Sequence, residues 1–472
     1  MQEERYIATV DFGTSVISLS VSMVTAQDTK NVYFGKCNSE GIMNGLIVNS
    51  RNVANCLRPL IEEAESQLEK KINKLVVNWP RANVKCLPIN VSLTRPNPDT
   101  SVSKDDIIYL KDTARDQLAS QLSDSDDIYD IVPLSYSIDD LYQATEDDIE
   151  GATSEKIEGN FLAFVGRSKV RKGILKVIDE LDGVSVASFC FTPAYPSRFV
   201  INPEEMMHGV ALIEIGGAIT SVSVYYKGVI RYFRSFAFGG KDITNDIRTE
   251  GNLTLSLAEN IKKGFGSCMP DKLYTLEDKC LYITRSTGPS STVQVKYLAE
   301  IINRRMLEIA NTCIYLLGES GYADKLPCGI VLCGGGARLL SCHSLFYNLS
   351  GLRTRVALPH YFESTEECTH ETMLLFAKKD LSLNCAEEIG LKKPEMPIHE
   401  AEPEAEPSLF AKGEIEEVKA ADHGNAPKER KKVEKKEKET EKSGNIFGRF
   451  LNVVGNAFEN GYKNAGEDNE NE

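Results

Sequence analysis

Short runs of β-branched and other apolar residues alternate with glycine-rich turns along most of the chain. Two such runs, residues 6–10 and 16–24, flank the segment Asp-Phe-Gly-Thr-Ser at residues 11–15. Apolar runs of this length that end at turn residues predict β-strands. The beginning of the sequence therefore predicts two strands joined by a tight turn, which carries an acid, a glycine and two hydroxyl groups.

A similar unit returns about 200 residues further along the chain. Residues 210–213 form an apolar run, residues 214–220 read Glu-Ile-Gly-Gly-Ala-Ile-Thr, and residues 221–226 resume the β-branched pattern. A pattern that recurs at this distance indicates an internal repeat. We therefore expect two similar halves.

Other segments carry apolar residues at helical spacing. Residues 104–122, behind the predicted cap Ser103, and residues 295–317 both predict helices. Glu259 and Lys262 are three residues apart, so they are predicted to lie on one face of a further helix. Mixed strands and helices indicate an α/β protein.

Glycine turns at strand ends suit phosphate binding, because backbone N–H groups approach phosphate oxygens without a Cβ in the way. Hydroxyl groups add donors, and an acid at the strand end can hold Mg²⁺ through water. A third glycine turn, Gly334 to Gly336, follows the apolar run 329–333. The alternatives are a plain hairpin turn at residues 11–15, a helix-entry turn at residues 334–336 and a surface ion pair of Glu259 and Lys262.

Five segments in a fixed order carry a family resemblance. They are acid-x-Gly-Thr-Ser at residues 11–15, Gly-Gly-x-x-Thr at 216–220, Gly-Gly-Lys-Asp-Ile-Thr-x-Asp at 239–246, Ala-Glu-x-x-Lys-x-x-x-Gly at 258–266 and Gly-Gly-Gly-Ala at 334–337. The order resembles the actin/Hsp70/sugar-kinase superfamily and, more narrowly, the FtsA family of bacterial cell-division proteins. The resemblance covers about residues 5–385.

The resemblance implies an α/β, actin-like two-lobed fold with duplicated RNase H-like halves around an ATP cleft. ATP with Mg²⁺ is the implied cofactor, with Asp11 and Glu214 as the metal-side acids through water. The implied nucleotide-binding residues are Gly13, Thr14, Ser15, Gly216, Gly217, Thr220, Gly239, Gly240, Glu259, Lys262, Gly334, Gly335 and Gly336.

The predicted borders follow from the repeat, the resemblance and a change in composition. They are actin-like lobe 1 at residues 1–80 and 166–198, an inserted small α/β subdomain of FtsA type at 81–165, lobe 2 at 199–385 with a small subdomain at about 241–327, a disordered charged linker at 386–443, an amphipathic helix at 444–463 and an acidic tail at 464–472.

The chain departs from the family pattern at the second phosphate turn. Glu214 stands where related proteins usually have aspartate, and Ile219 and Ser221 replace an expected hydroxyl and acid. We expect ATP binding to be retained and hydrolysis to be slow or absent, because no positioned base can be named. A small-molecule kinase of the sugar-kinase type and another cytoskeletal or pilus-assembly ATPase remain alternatives.

The resemblance also implies protein partners. Arg305 and Glu308 match charged positions of the helix that receives the C-terminal peptide of the tubulin-like protein FtsZ, although a solvated charged face is the alternative. The inserted subdomain is expected to contact other division proteins, and the chain is expected to associate with itself. The implied function is an ATP-binding tether for FtsZ filaments rather than a metabolic enzyme.

Composition restricts the classes of partner, metal site and cellular compartment that we expect. The formal net charge of −15 argues against nucleic acid as a partner, because phosphate binding needs clustered cations. The twelve cysteines include no C-x-x-C pair and predict neither zinc nor iron–sulfur ligation. With no secretory signal pattern, we expect free thiols in the cytoplasm.

The last part of the sequence predicts a membrane contact. On a helical wheel, the apolar residues Ile446, Phe447, Phe450, Leu451, Val454 and Phe458 share one face. An apolar stripe at the end of a linker has no core of its own, so we expect it to lie in the bilayer interface. Folding back onto the globular part is the alternative. The expected location is peripheral, on the cytoplasmic face of the inner membrane at the division site.

Overall fold

The computed structural model describes residues 4–139, 141–196, 200–273, 279–283, 291–357 and 365–388. These residues belong to a single packing unit. The predicted amphipathic helix and acidic tail, and all but the first three residues of the predicted linker, lie outside the described residues.

The described strands follow one another through the chain in the order β1 (Arg5–Phe12), β2 (Val16–Val24), β3 (Thr29–Asn38), β4 (Ile42–Met43), β5 (Leu46–Ile47), β6 (Lys70–Ile72), β7 (Lys74–Asn78), β8 (Lys85–Thr94), β9 (Asp126–Ile138), β10 (Leu141–Ala144), β11 (Lys156–Arg167), β12 (Ser185–Cys190), β13 (Val210–Ile215), β14 (Thr220–Tyr226), β15 (Val229–Phe236), β16 (Cys280–Ile283), β17 (Ser291–Gln294), β18 (Ile330–Cys333), β19 (Thr354–Val356) and β20 (Ala386–Glu388). The described α-helices are α1 (Ser50–Leu68), α2 (Lys104–Gln121), α3 (Glu146–Ile149), α4 (Ser168–Asp179), α5 (Pro203–His208), α6 (Gly240–Gly251), α7 (Leu255–Phe265), α8 (Val295–Glu319), α9 (Cys342–Ser350) and α10 (Thr365–Ala377).

Two five-stranded sheets share one topology. In the first sheet the order is β3-β2-β1-β7-β12, and in the second it is β15-β14-β13-β18-β19. Each begins with three antiparallel strands and continues with two parallel ones. The predicted duplication is therefore confirmed at the level of strand order, and both glycine turns occupy the same place in their halves.

The central strands are apolar along nearly their whole length because helices cover the sheets. Strand β1 is buried at most of its positions, and α10 and α1 pack against its sheet. The second sheet packs against α8, whose predicted beginning at Val295 is confirmed. One hydrophobic core covers the first sheet and also includes Leu212, Tyr225 and Phe233 of the second sheet, whereas a further core packs the second sheet against α8.

A third sheet lies in the connection between the parallel strands β7 and β12. It has the antiparallel order β10-β9-β11-β8, and α2 packs against it over a separate apolar core. The predicted cap of α2 is confirmed, because Ser103 and Asp106 form a capping box. A small α/β subdomain is thus built from residues between Lys85 and Arg167.

The predicted linker begins later than expected. Residues Ala386–Glu388 form strand β20, which pairs antiparallel with β6. Ala386 is buried, and the preceding Cys385 donates its N–H to Tyr6 O at 2.7 Å. This short pairing extends the globular part beyond residue 385. No helix within the described ranges is long and apolar enough to cross a membrane.

A buried histidine ties α10 to the first hairpin. His370 Nδ1 lies 2.7 Å from Thr9 Oγ1, and His370 Nε2 lies 2.8 Å from Ser18 Oγ. Burial lowers the pKa of His370 to about 3, so the ring is neutral in the folded chain. The two hydroxyl groups therefore hold a neutral imidazole beneath strands β1 and β2.

This histidine predicts a loss of stability in acid. In the unfolded chain its pKa is about 6.5, so between that pH and about 3 only the unfolded chain takes up the proton. Stability then falls as the pH falls. We expect this part of the pH dependence, at most about 1.4 kcal/mol per pH unit, to be absent in His370→Gln.

Urea unfolding at several pH values from about 7 down to about 4 measures the effect. The free energy of unfolding of the wild type is expected to fall more steeply than that of His370→Gln. Parallel curves for the two proteins would contradict the neutral, buried imidazole.

Candidate functional site

The glycine turns of both halves open onto one cleft of about 1650 Å³. Most of the residues predicted to bind nucleotide line it, namely Gly13, Thr14, Ser15, Gly216, Gly217, Gly240, Glu259, Lys262, Gly334, Gly335 and Gly336. Asp11 and Glu214 line it as well. The structure thus brings together residues that are far apart in the sequence.

Two predicted residues do not line the cleft. Thr220 is fully buried, and its Oγ1 donates to Phe238 O at 2.8 Å. Gly239 precedes α6 and donates its N–H to Asp242 Oδ2 at 2.8 Å, so it belongs to the helix cap. Both residues support the second turn from behind.

The first turn is held by contacts from both halves. The Gly45 N–H donates to Thr14 Oγ1 at 3.1 Å, from the same half. Lys241, at the beginning of α6, donates from its Nζ to Thr14 O at 2.6 Å, from the other half. Lys241 therefore joins the two sides of the cleft.

The second turn is fixed to the N-terminus of α6. Gly240 N–H donates to Gly216 O at 2.9 Å, and Lys241 N–H donates to Gly217 O at 2.6 Å. A Cβ at Gly239 would lie 2.5 Å from Gly216 O, so no larger residue fits there. The positive end of the helix dipole is thereby placed at the turn.

The third turn passes close over strand β13. Gly334 has φ +85° and lies so near β13 that a Cβ would meet Ile215 O at 2.5 Å. Gly335 differs, because it has α-helical angles and a Cβ there would have no atom within 4 Å. Gly335 thus faces open space in the cleft.

Lys262 is a buried supporting residue. Its Nζ donates to Gly240 O and Thr244 Oγ1, both at 2.8 Å, and lies 2.7 Å from Glu259 Oε2. Burial lowers the pKa of Lys262, while Glu259 opposes that effect. Lys262 therefore ties α7 to α6, and Glu259 is the more exposed member of the pair.

The acid pair has an internal cation as its partner. Glu214 forms an ion pair with Arg81, which follows β7 in the other half, and Arg81 Nη2 donates to Thr192 Oγ1 at 2.9 Å. Asp11 Oδ1 accepts from Asn78 Nδ2 at 2.7 Å, and burial raises the pKa of Asp11. Because a guanidinium already pairs with Glu214, and Asp11 is bonded to Asn78, these acids do not fit the predicted water-mediated Mg²⁺ site.

The glycine cradles, in contrast, fit a nucleotide. The third turn leaves open space at Gly335. The first and second turns offer backbone groups to a ligand. Three large apolar side chains, Leu255, Phe265 and Leu340, line the cleft although each is more than half exposed. Exposed apolar surface inside a cleft suits a flat aromatic ring such as a base.

Sequence reasoning missed Arg81, Lys241 and these apolar residues. Lys241 lies in the segment 239–246, directly after two glycines and at the beginning of α6, and this position is a usable signal. Arg81 carries no local signal, because its partner Glu214 is distant in sequence and adjacent only in the fold.

A second candidate surface lies on α6 and α8. Arg305 forms a two-point ion pair with Asp246, with distances of 2.7 and 3.0 Å, and its Nη1 lies 2.7 Å from Glu308 Oε2. Its guanidinium carbon is 5.5 Å from the centre of the Phe238 ring. Arg305 and Glu308 are thus paired within the chain, which the sequence did not predict.

A groove of about 380 Å³ lies beside this network, between the same helices. Its apolar lining includes Ile247, Leu253, Ile261, Val293, Leu298 and Ile301. Tyr297 donates from its hydroxyl to Glu250 Oε2 at 3.0 Å, and both residues line the groove. The groove combines an apolar floor with charged neighbours.

The predicted membrane-binding residues lie outside the described residues. They are Ile446, Phe447, Phe450, Leu451, Val454 and Phe458. Their assignment therefore stays a prediction.

Comparisons with known proteins agree with the predicted resemblance and the fold. A model of the family described as Cell division protein FtsA matches residues 211–375. Cell division protein FtsA of Bacillus subtilis is 26% identical over 403 residues, which cover 85% of this chain and 89% of the relative. Cell division protein FtsA of Neisseria meningitidis serogroup B is 26% identical over 400 residues, covering 84% and 94%.

Among solved structures, a chain of the PilM–PilN type IV pilus biogenesis complex matches with a TM-score of 0.54. It is 16% identical and covers 80% of this chain and 99% of that chain, a likeness that shows the fold alone. The family model, the relatives and the fold together confirm the resemblance predicted from the five segments, which is to the FtsA family of cell-division proteins within the actin-like superfamily.

Proposed function

We propose that this chain is an actin-like cell-division protein that binds a nucleotide in the cleft and tethers FtsZ filaments to the cytoplasmic face of the membrane. The observation that carries the proposal is the convergence of two repeated glycine turns and the N-terminus of α6 on one cleft. The FtsA relatives favour this function over the sugar-kinase alternative.

The nucleotide assignment follows from the chemistry of the lining. Backbone N–H groups at Gly13 to Ser15 and at Gly217 would hold phosphates, whereas the Gly216 N–H already donates to Ile219 O at 2.9 Å within the turn. The third turn, with Phe265 and Leu340, would hold the base and ribose. ATP is the proposed ligand, with hydrolysis slow or absent, and the chain acts as a scaffold whose nucleotide stabilises the closed cleft.

The partner assignment rests on the surface of α6 and α8. A peptide with apolar and acidic or basic residues would place its apolar side chains in the groove and its charges against the network of Arg305, Glu308 and Asp246. The FtsZ C-terminal peptide is the proposed occupant. Self-association and contacts with other division proteins through the inserted subdomain complete the proposal.

The membrane assignment rests on the sequence of residues 444–463. Apolar residues on one face and Arg449, Asn452, Asn456 and Lys463 on the other give an interfacial helix enough apolar area for reversible attachment. Gly448 and Gly455 weaken the helix in water, so attachment and helix formation are expected to occur together. The acidic tail opposes binding to anionic lipid.

The nucleotide site predicts a charge effect at Gly335. A Cβ there meets no other atom within 4 Å, so Gly335→Asp places a carboxylate in the cleft without disturbing the fold. We expect the Kd for ATP to rise about tenfold or more, which corresponds to about 1.4 kcal/mol. Gly335→Asn has the same shape without the charge and is expected to change affinity much less.

Calorimetric titration of the two variants and the wild type measures this difference. Equal affinity of Gly335→Asp and the wild type would contradict the cleft as the nucleotide site. Gly335 is a better probe than Gly216, where a Cβ would lie 2.9 Å from Ile219 O and strain the turn itself.

The ion-pair network sets how the peptide surface must be tested. Reversing Arg305 and Glu308 alone leaves Asp246 facing a new carboxylate, so that variant is expected to lose stability. The triple variant Asp246→Lys, Arg305→Glu, Glu308→Lys keeps both ion pairs with opposite signs. We expect it to melt close to the wild type but to bind the FtsZ C-terminal peptide about tenfold or more weakly.

Fluorescence anisotropy with a labelled peptide and thermal melting of the same samples separate the two effects. Wild-type peptide affinity in the triple variant would move the binding site to another surface.

The membrane helix predicts a face-specific effect of added charge. Phe447→Glu with Phe450→Glu places two carboxylates on the apolar face and should release the full-length protein from liposomes in a flotation assay. Asn452→Glu with Asn456→Glu adds the same charge to the polar face and should leave most of the protein bound. If both double variants float like the wild type, the helix is not the anchor.

A further inference from the structure

Both acids of the cleft have partners within the chain: Arg81 pairs with Glu214, and Asn78 donates to Asp11. Asp11 and Glu214 lie near the ends of β1 and β13, the corresponding first strands of the two halves. The Arg81 guanidinium pairs with Glu214 across the cleft, and the Arg81 side chain is only 16% exposed. The hydrogen bond to Thr192 Oγ1 and a bond from Ser235 Oγ to Arg81 O fix its position.

Both carboxylates act on this guanidinium. Burial by itself lowers the pKa of Arg81, but Glu214 first and Asp11 second outweigh it and raise the pKa. Arg81 therefore carries a permanent positive charge. A divalent cation at the same acids would have to displace a buried ion pair or lie against a like charge in a partly dry cleft.

The oxygen ligands that are present also argue against a divalent cation at Asp11 and Glu214. Mg²⁺ requires a near-octahedral set of oxygens, of which the protein usually supplies one or two carboxylates. Of the two candidates, Glu214 is held by Arg81 and Asp11 accepts from Asn78.

We propose that Arg81 takes the place of a divalent cation on the acid side of the cleft, so that the chain binds nucleotides as metal-free polyphosphate anions. The Arg81 side chain lines the cleft, and its buried Nε–H has no acceptor in the described part of the chain, so the guanidinium retains a donor that could turn to a phosphate oxygen. Lys241, at the opposite turn, supplies a second cation. This inference rests on the proposed nucleotide binding.

The test is calorimetric titration of the full chain with ATP, once in excess Mg²⁺ and once in EDTA. We expect the wild-type Kd to differ by less than about threefold between the two media. Arg81→Gln should bind about tenfold or more weakly in EDTA, and Mg²⁺ should restore part of the affinity because the acids are then free to bind it. Arg81→Lys keeps the charge and should remain insensitive to EDTA.

Each outcome bears on a different claim. A wild-type Kd that rises about tenfold or more in EDTA would overturn the metal-free assignment while supporting nucleotide binding itself. Absence of binding in both media would overturn the proposed function and this inference with it. Thermal melting and the fluorescence of Trp79, the single tryptophan, show whether each variant is folded.

Discussion

The close approach of backbone to backbone at the cleft is the constraint on which the rest of the structure depends. Gly239 lies against Gly216 and Gly217, and Gly334 lies against Ile215, with no room for a Cβ at either position. A side chain at these points would force the turns away from α6 and β13. The absence of Cβ atoms therefore lets the second and third turns of one half pack closely on α6 and β13 beside the cleft.

The cleft also contains charged side chains, and two of the cations have a partner on the opposite half. Lys241 bonds the opposite turn through Thr14 O, and Arg81 pairs with Glu214 across the cleft. Both contacts join the two halves through a buried or half-buried cation. Opening the cleft would break them, so they bias the chain toward the closed form even before a ligand adds its own contacts.

Much of the fold could be predicted from the sequence because its signals are local. The β-branched runs beside Gly13 and Gly216, and the fixed order of the glycine segments, indicated two like halves, and the strand order confirms them. Ser103 marked the beginning of α2 for the same reason, since a cap needs only residues within one turn.

What the sequence could not predict depends on residues that meet only in three dimensions. Arg305 was assigned to a partner surface, yet it is paired with Asp246, 59 residues away. Asp11 and Glu214 are recognisable because they stand at strand ends, whereas Arg81, which pairs with Glu214, has no spacing signal in the sequence. Phe265 and Leu340 belong to different elements and form one apolar wall only when α7 and the third turn pack together.

Hydrogen–deuterium exchange of the full chain with and without ATP tests the central claim most directly, because the proposed ligand contacts are backbone N–H groups. The account predicts that the amides of residues 13–16, 217–218 and 335–337 become protected together when ATP is added. Protection of one turn without the other, or of neither at a saturating ATP concentration, would contradict a single site formed by both halves.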